Sequence, residues 1–212
     1  MITLHGRATS SNVQMVVWTL TEMGLPFSRL DVGGAFGGND TPAFKSMNPN
    51  GFVPVIEDGE LVLWESAAIV RYLGARYGDD QFWPVDPAKR AIADKWAEWI
   101  KTTFVPAFLG GVFWPMITQP LKDRQPQALS ANIEKLKGVA AIFESGVPAE
   151  GFYGGGDVNF ADMVLGTYLF RYFDMDFDRA DTPKLRAYYD RLAARPAYAE
   201  HVMVSYDSLR AR

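Results

Sequence analysis

"NPNGFVPVIEDGELVLWES", residues 48–66, contains two short apolar runs separated by a tight turn, and it ends where a helix begins. The runs "VPVIED" and "LVLW" predict two strands around a turn at Asp58-Gly59. Apolar residues then recur at helical spacing, which predicts a helix from near Glu65 to Tyr77. The stretch therefore predicts a strand, a turn, a second strand and a helix in succession.

The residues before this stretch have the pattern of a further α/β unit. "ITLH" predicts a strand, residues 12–23 predict a helix ended by Gly24, and "FSRLDV" predicts a second strand. Residues 42–47 have the composition of a short helix. We therefore expect residues 1–77 to form an α/β domain in the order β-α-β-α-β-β-α, with a mixed four-stranded sheet.

The second half of the chain is predicted to be helical. "YGDDQFWPVDP", residues 77–87, holds glycine, two prolines and acidic residues, which is typical of a linker. One helix is expected from about 87 to 109, although Pro106 should bend or end it. A second helix has an apolar face in steps of three and four residues, from Leu129 to Phe143. An all-helical domain is therefore expected after the linker.

The segment "VNFADM", residues 158–163, is the most informative signal in this second half. Asn159 can cap a helix, and Asp162 at the third position can bond back to the Asn159 backbone. Val158 and Met163 occupy the flanking apolar positions of this Asn/Asp capping box. The segment therefore predicts a helix that begins directly after Asn159.

Composition excludes several kinds of chemistry. The 212 residues carry a net charge of −4 and no dense run of Lys or Arg, which argues against a nucleic-acid partner. Cysteine is absent, which removes disulfides, thiolate ligands and a cysteine nucleophile. The two histidines, His5 and His201, are too few for a His-rich metal site or a Ser-His-Asp triad, and we interpret both as structural. We therefore expect a small-molecule ligand and no metal.

Targeting and membrane signals are not apparent in the sequence. No apolar run is expected to reach the roughly 18 residues that a membrane span requires. The start "MITLHG" lacks the charged and apolar regions of a signal peptide. These features predict a cytoplasmic protein without a membrane partner.

A polar cluster precedes the first helix. In "RATSSNVQMVVWTL", residues 7–20, the side chains of Thr9, Ser10, Ser11 and Asn12 come directly before an apolar helical face. One such side chain suffices to cap a helix, so the cluster is larger than capping requires. We expect Ser11 or Asn12 to cap the helix and the remaining groups to serve a ligand.

Several motifs, in their order and spacing, resemble cytosolic glutathione S-transferases over nearly the whole chain: Ser10, "NPNGFVPV" at 48–55, Glu65-Ser66 and the Asn159/Asp162 capping box. The start of the chain is similar to bacterial members of the theta, zeta and nu-like classes, which place Ser or Thr at the position of Ser10. The nu-like enzymes also have Asn at the position of Asn12. The resemblance implies a thioredoxin-like domain at 1–77, a linker at 78–86 and an all-helical domain at 87–212. It also implies a glutathione-dependent homodimeric enzyme.

The motif around Pro54 suits binding of an extended molecule. Pro54 has no N–H and therefore interrupts a strand ladder, which permits another extended chain to pair with Val53. The resemblance implies a cis Val53-Pro54 bond and pairing of Val53 with the cysteinyl part of glutathione. From these residues alone, a trans proline on an edge strand remains an alternative.

The dipeptide Glu65-Ser66 suits the head of an α-amino acid. The Ser66 hydroxyl and the first-turn amides of a helix can hold a carboxylate, and Glu65 can pair with an ammonium. The dipeptide alone is equally explained by a capping serine beside an exposed glutamate. The resemblance assigns both residues to the γ-glutamyl end of glutathione.

The polar cluster then has a chemical role. A free cysteine thiol has a pKa of about 8.5, and lowering it by about two units requires about 2.7 kcal/mol of preference for the anion. A hydrogen bond to a charged group contributes about 1.5–3 kcal/mol, and a helix N-terminus adds about 0.3–1 kcal/mol. We assign Ser10 as the donor to the glutathione thiolate, Asn12 as a second polar contact and Ser11 as the alternative donor.

Other parts of the site are open to two interpretations. Lys45 can bind the glycyl carboxylate of glutathione or be a solvated surface residue. Phe52 can line the site or serve in packing. The second substrate is expected to be a hydrophobic electrophile or a peroxide, with Phe108, Phe113 and Trp114 lining its pocket. "GGVFWP", residues 110–115, interrupts the helical spacing and is interpreted as a turn at that pocket.

Other functions on the same fold are also considered. A glutathione-dependent disulfide-bond reductase and a dehalogenase-type relative use related chemistry. A non-catalytic binding or regulatory protein would not need to keep the complete set of Ser10, Pro54, Glu65 and Ser66. A glutaredoxin-type oxidoreductase is disfavoured because the chain has no cysteine.

Overall fold

The computed structural model describes residues 1–120 and 125–211. Its sheet has four strands in the order β2-β1-β3-β4, with β1 parallel to β2 and antiparallel to β3. β3 and β4 are antiparallel, so the sheet is mixed as predicted. The strands are β1 (Ile2–His5), β2 (Phe27–Leu30), β3 (Val55–Asp58) and β4 (Leu61–Trp64).

Three α-helices accompany the sheet: α1 (Ser11–Glu22), α2 (Pro42–Met47) and α3 (Ser66–Tyr77). The predicted strands "FSRLDV" and "VPVIED" are shorter than expected, because the first ends at Leu30 and the second begins at Val55. α1 and α3 pack against each other on one face of the sheet. The predicted order of elements in residues 1–77 is confirmed.

The described part of the second half is helical apart from short connections. Its helices are α4 (Pro87–Thr118), α5 (Pro126–Gly146), α6 (Phe160–Gly166), α7 (Leu169–Asp174), α8 (Pro183–Ala193) and α9 (Pro196–His201). The architecture is therefore an α/β domain with a mixed four-stranded sheet followed by a helical domain, which is the predicted fold class.

Helix α4 is longer than expected and does not end at Pro106. It contains π-helical turns over Ile100–Phe104 and Pro106–Phe113 before it returns to α-helix. Wider π turns change the hydrogen-bond pattern around the proline, which has no N–H to contribute. "GGVFWP" at 110–115 is therefore helical, and the expectation of a turn there is wrong.

The expectation that no apolar run reaches the length of a membrane span is also wrong. By length and composition alone, helix Pro87–Thr118 qualifies as a candidate membrane span, with a mean hydropathy of 1.3 in its most apolar 18-residue window. Inside the fold, 39% of that window is buried. A helix at the centre of a protein core passes the same test, and Ile100, Phe104, Phe108 and Val112 of this helix are all buried in the core.

Two hydrophobic cores meet at α1 and α3. The smaller core lies between the sheet and these helices, and it includes Leu4, Val16 and Ile69. The larger core fills the helical domain and extends to Met15 and Trp18 on the other side of α1. The Trp18 ring packs edge-on against Tyr198, with ring centroids 4.9 Å apart. The helical domain therefore packs directly on the helix that begins at the polar cluster.

The capping box at the start of α6 is confirmed. The Asn159 side chain accepts hydrogen bonds from the backbone N–H groups of Ala161 and Asp162, at 2.9 and 3.4 Å. Asp162 Oδ2 accepts from the Asn159 N–H at 2.8 Å. The other carboxylate oxygen accepts from the Tyr188 hydroxyl at 2.6 Å and from the Tyr153 N–H at 3.0 Å. Every partner of this box comes from the helical domain.

Candidate functional site

A polar cleft of about 280 Å³ lies at the edge of the sheet, where α1 and α3 begin. It brings together seven of the residues predicted for the site: Ser10, Asn12, Phe52, Val53, Pro54, Glu65 and Ser66. These residues come from three separate segments of the chain. The arrangement agrees with the prediction that the polar cluster, the proline motif and Glu65-Ser66 serve one ligand.

The start of α1 is open toward this cleft. Ser10 is the N-cap residue with extended backbone angles, φ −86° and ψ 120°, but within the described residues its hydroxyl makes no capping hydrogen bond. Ser11 is the first helical residue and is 7% exposed. Asn12 lies inside the helix and its amide oxygen contacts other elements. The expectation that Ser11 or Asn12 caps this helix is therefore wrong.

The start of α3 is held in an unusual conformation. Glu65 is the N-cap residue, with φ 71° and ψ 107°. A residue with a side chain rarely adopts these angles, and such strain costs about 1–3 kcal/mol and is concentrated at functional sites. Ser66, which follows, is 2% exposed and begins the helix. The backbone therefore presents Glu65 and the first turn of α3 to the cleft at a cost in stability.

The Val53-Pro54 peptide bond is cis, as the resemblance implies. Val53 precedes the strand ladder, which begins at Val55, so it lies at the cleft rather than inside the sheet. Two asparagines shape the loop before it. Asn48 Nδ2 donates to the Phe52 carbonyl and Asn39 Nδ2 donates to the Gly51 carbonyl, both at 2.8 Å.

Two glycines allow the close approach of loops around the cleft. Gly51 has φ 66°, and a Cβ there would lie 2.9 Å from the Asn39 carbonyl oxygen. Gly34 has φ 59°, and a Cβ there would lie 2.6 Å from Arg7 Nε. Gly51 therefore requires glycine for conformation and for space, and Gly34 requires it for conformation.

The helical domain contributes polar groups to the start of α1. Lys101 Nζ lies 3.1 Å from Asn12 Oδ1 and 3.3 Å from Ser66 Oγ. The Tyr168 hydroxyl donates to the same Asn12 oxygen at 3.0 Å and lies 3.1 Å from Lys101 Nζ. Asn12, Ser66, Lys101 and Tyr168 form one hydrogen-bonded group, which we call the Asn12 cluster. It links α1 and α3 to the helical domain.

Two arginines lie on either side of Thr9. Arg7 Nη1 donates to the Thr9 hydroxyl at 2.8 Å, and Arg171 Nη2 donates to the Thr9 carbonyl at 2.7 Å. Burial lowers the pKa of Arg7, and burial together with the neighbouring Arg7 lowers the pKa of Arg171 to about 10. Both remain cationic at neutral pH.

The residues next to Ser10 therefore produce a positive potential. Within residues 1–120 and 125–211, neither Arg7 nor Arg171 nor Lys101 forms an ion pair with a carboxylate. Uncompensated positive charge beside a cleft favours an anionic ligand. This potential adds to the effect of the α1 N-terminus, which also favours an anion.

Four predicted site residues do not line this cleft. Lys45 is exposed and does not line the cleft, although its Cε is 3.7 Å from the Cβ position of Gly51. Phe108 and Phe113 are 0% exposed. They pack against each other and against Tyr172 and Tyr206 inside the core because their helix is central to the domain, which is contrary to the expectation that they line a pocket. Trp114 is half-buried and packs against Phe113, with ring centroids 4.9 Å apart.

The structure adds lining residues that the sequence interpretation missed: Arg7, Gly33, Gly34, Asn39, Asn48 and Gly51. "GGAFGG", residues 33–38, was an available signal, because four glycines in six residues predict a loop of positive φ. Lys101 and Tyr168 had no such signal. Their sequence neighbours are those of ordinary core helices.

A larger cleft, of about 700 Å³, lies between the start of α4 and the loop after α5. It is lined by Lys89, Ile92, Trp96 and Tyr153 among others, and by none of the predicted site residues. No group of three or more His, Cys, Asp or Glu side chains in the described part of the chain is arranged to hold a metal ion. The predicted site residues that share a cleft are therefore all at the smaller one.

Comparison with known proteins identifies the class to which this fold and cleft belong. Family models described as the glutathione S-transferase N-terminal domain and C-terminal domain match residues 9–76 and 126–191. Glutathione S-transferase GstB of Escherichia coli strain K12 is 35% identical over 206 residues, which is 96% of this chain and 99% of that protein. A glutathione S-transferase of Hyoscyamus muticus is 31% identical over 211 residues, which is 94% of this chain and 96% of that protein.

A solved structure supports the same relationship. The theta-class glutathione S-transferase of Xanthomonas axonopodis pv. citri, with glutathione bound, superposes with a TM-score of 0.89 and 40% sequence identity. The match covers 96% of this chain and 98% of that one. The chain belongs to the glutathione S-transferase family, and its two-domain fold is the one that the sequence motifs predict.

Proposed function

We propose that this protein is a glutathione transferase that binds reduced glutathione in the cleft of about 280 Å³ and activates its thiol. The observation that carries the proposal is the convergence of Ser10, Val53, Glu65 and Ser66 on one cleft at two helix N-termini. Helix N-termini favour anionic groups, and glutathione has two carboxylates and an ionisable thiol.

The γ-glutamyl end of glutathione is assigned to the start of α3. The first-turn amides of α3 and the Ser66 hydroxyl can hold its carboxylate, while the exposed Glu65 can pair with its ammonium. The Val53 backbone is assigned to the cysteinyl part. Lys45 is assigned to the glycyl carboxylate, because it lies beside Gly51 at the edge of the cleft.

The thiol is assigned to the start of α1. The Ser10 hydroxyl is not used in capping, so it can donate a hydrogen bond to the glutathione thiolate. Asn12 is the second polar contact, and the buried Ser11 is the alternative donor. The cations Arg7, Lys101 and Arg171 contribute a potential that favours the thiolate over the thiol.

The reaction transfers the glutathione sulfur to a hydrophobic electrophile. The thiol proton leaves to solvent when glutathione binds, and the thiolate then attacks an electrophilic carbon. A carbon–sulfur bond forms while the leaving group departs with its electron pair. A peroxide is the alternative acceptor. Of the three aromatic residues predicted to contact the second substrate, Trp114 is the one that is not buried in the core.

We also propose that the protein is a cytoplasmic homodimer, with a glutathione-binding domain at 1–77, a linker at 78–86 and a helical domain at 87–212. Leu61 and Val62 on the edge strand β4 are 38% and 40% exposed, which supports a contact between copies. A cytosolic location suits a cosubstrate whose thiol must stay reduced. Light scattering after size exclusion would distinguish a dimer from a monomer.

Calorimetric titration with reduced glutathione tests the proposed function. The wild-type protein should bind, and the Glu65→Ala/Ser66→Ala double variant should lose at least tenfold in affinity, because it removes charged contacts worth about 1.5–3 kcal/mol each. Glu60→Ala, at an exposed position five residues away, is the matched control and should bind as the wild type does. If the wild type does not bind glutathione, the proposal is wrong. A panel of electrophiles and peroxides then identifies the second substrate.

A further inference from the structure

The amide of Asn12 is oriented by its neighbours in the Asn12 cluster. Its Oδ1 lies 3.1 Å from Lys101 Nζ, 3.0 Å from the Tyr168 hydroxyl and 3.3 Å from the Ser66 hydroxyl. The two hydroxyls can donate or accept a hydrogen bond, so they would tolerate either end of the amide. An ammonium can only donate. Lys101 alone therefore requires that the oxygen of Asn12, and not its nitrogen, faces the cluster.

This orientation determines what Asn12 offers to the cleft. With Oδ1 held by the cluster, the NH₂ group occupies the other branch of the planar amide. In the part of the chain that the structure describes, the only side-chain hydrogen bonds of Asn12 are those of its Oδ1. Because Asn12 lines the cleft, its NH₂ group is available as a hydrogen-bond donor to a bound anion.

We propose that Lys101 is a positioning residue for thiol activation, which fixes the Asn12 amide so that its NH₂ group donates to the glutathione thiolate. This inference rests on the proposed function. Lys101 does not line the cleft itself, so it acts through Asn12. It reaches Asn12 from the π-helical turn Ile100–Phe104, and π turns inside α-helices are frequent at functional sites.

The charges around the cluster support this role. The charged residues nearby are Arg7 before α1, Glu65 at the start of α3, and Arg171 in α7. The phenol of Tyr168 lies between α6 and α7, with its ring centroid 5.8 Å from Lys101 Nζ. Lys101 has no carboxylate partner within the described residues, so its charge polarises the Asn12 amide instead of being neutralised.

The test is the ionisation of glutathione bound to the enzyme, followed by the ultraviolet absorbance of the thiolate as the pH is changed. Lys101→Met should raise the midpoint by about one pH unit, which is a tenfold loss in the ratio of thiolate to thiol. Lys101→Gln should do the same, because a Gln amide can donate or accept and no longer selects one orientation. Lys101→Arg, which can only donate, should keep the wild-type midpoint.

Two controls separate positioning from a general effect of charge. Lys95→Met removes an exposed cation from the same helix and should leave the midpoint unchanged. Asn12→Ala on its own should raise the midpoint, and adding Lys101→Met to Asn12→Ala should raise it by much less than Lys101→Met raises it in the wild type, because only the direct effect of the charge is left. An additive shift in the double variant would overturn the positioning role, because Lys101 would then act without Asn12.

A failure of the Lys101 role can be told apart from a failure to bind glutathione. If wild-type protein fails to bind glutathione in the calorimeter, the proposed function fails first. If the wild type binds and ionises glutathione while Lys101→Met and Lys101→Gln titrate at the wild-type midpoint, only the role of Lys101 is overturned. Circular dichroism of each variant identifies any that does not fold, and either of the two neutral variants suffices for the test.

Discussion

Helix α6 begins in a closed capping box, whereas helix α1 begins at a serine whose hydroxyl makes no bond to its own helix. Asn159 and Asp162 satisfy each other and are 1% and 0% exposed. Ser10 has the same position relative to α1 and is partly exposed to the cleft. A helix N-terminus has unpaired N–H groups that need an acceptor. In α6 the chain supplies the acceptor, and in α1 we propose that a bound ligand supplies it.

The capping box at the N-terminus of α6 should contribute strongly to stability. Asp162→Ala leaves two buried donors, the Asn159 N–H and the Tyr188 hydroxyl, and the half-buried Tyr153 N–H without their acceptor. Each unpaired buried group costs about 1–3 kcal/mol, so the loss of the two buried hydrogen bonds should lower the free energy of unfolding by about 2–6 kcal/mol. Urea denaturation measures this loss. A loss below about 1 kcal/mol would show that water replaces the carboxylate and that the capping box contributes little to the free energy of unfolding.

The same carboxyl should make stability depend on pH. Burial, which outweighs the hydrogen bonds from Tyr188 and the backbone, raises the pKa of Asp162 from 3.8 to about 6. Between these values the folded protein keeps a proton that the unfolded chain has lost, so stability falls as the pH rises. At about 1.4 kcal/mol per pH unit, the contribution lost between pH 4 and pH 7 is about 3 kcal/mol.

Asp162→Asn isolates this contribution because the amide does not titrate. The stability advantage of the wild type over Asp162→Asn should be larger at pH 4 than at pH 7, in urea denaturation at both pH values. Asp40→Asn, at an exposed position in the other domain, controls for the loss of one negative charge. An advantage that is the same at both pH values would mean that the buried carboxyl stays ionised throughout.

A substitution at the N-terminus of α1 should lower activity and leave stability unchanged. Ser10→Ala removes a hydrogen bond to a charged thiolate, worth about 1.5–3 kcal/mol, so kcat/KM should fall by roughly 10- to 150-fold. Its glutathione affinity should change little, because the carboxylates of glutathione bind elsewhere. Its stability should be that of the wild type, because the hydroxyl caps nothing within the described residues.

Ser11→Ala is the matched control for this prediction. It removes the neighbouring hydroxyl, which is 7% exposed, and it should keep most of the turnover. If Ser11→Ala is inactive and Ser10→Ala is fully active, the thiolate donor is Ser11. If Ser10→Ala lowers stability as Asp162→Ala does, the difference between the two helix starts is smaller than the structure indicates.

The two starts also differ in how well the sequence predicts them. The capping box is local, since Asn159 and Asp162 are three residues apart and their side chains can bond only to nearby backbone. The order of strands and helices in residues 1–77 is predicted for a similar reason, because apolar periodicity and turn residues such as Gly59 act over short distances. These features are therefore accessible from the sequence alone.

Contacts between distant segments were not accessible in this way. Lys101 reaches Asn12 across 89 positions of sequence and Tyr168 does so across 156. Phe108 and Phe113 illustrate the opposite error, because aromatic residues near a glycine-rich interruption suggest a pocket, while the π turns keep them inside the core. The continuation of helix α4 through Pro106 depends on tertiary packing, which the apolar periodicity of the sequence does not reveal.

The N-terminus of α3 differs from both of the others, because its N-cap residue has a strained backbone conformation. Glu65 has φ 71°, a conformation that costs a residue with a Cβ about 1 kcal/mol or more and costs glycine little. Glu65→Gly and Glu65→Ala both remove the carboxylate, so both should weaken glutathione binding to the same degree. Only Glu65→Gly relieves the backbone, so it should be more stable than Glu65→Ala by about 1 kcal/mol in thermal or urea unfolding. Equal stability of the two variants would mean that the backbone relaxes when the side chain is removed. In that case the strain belongs to the Glu65 side chain and its function, and not to the loop that ends at α3.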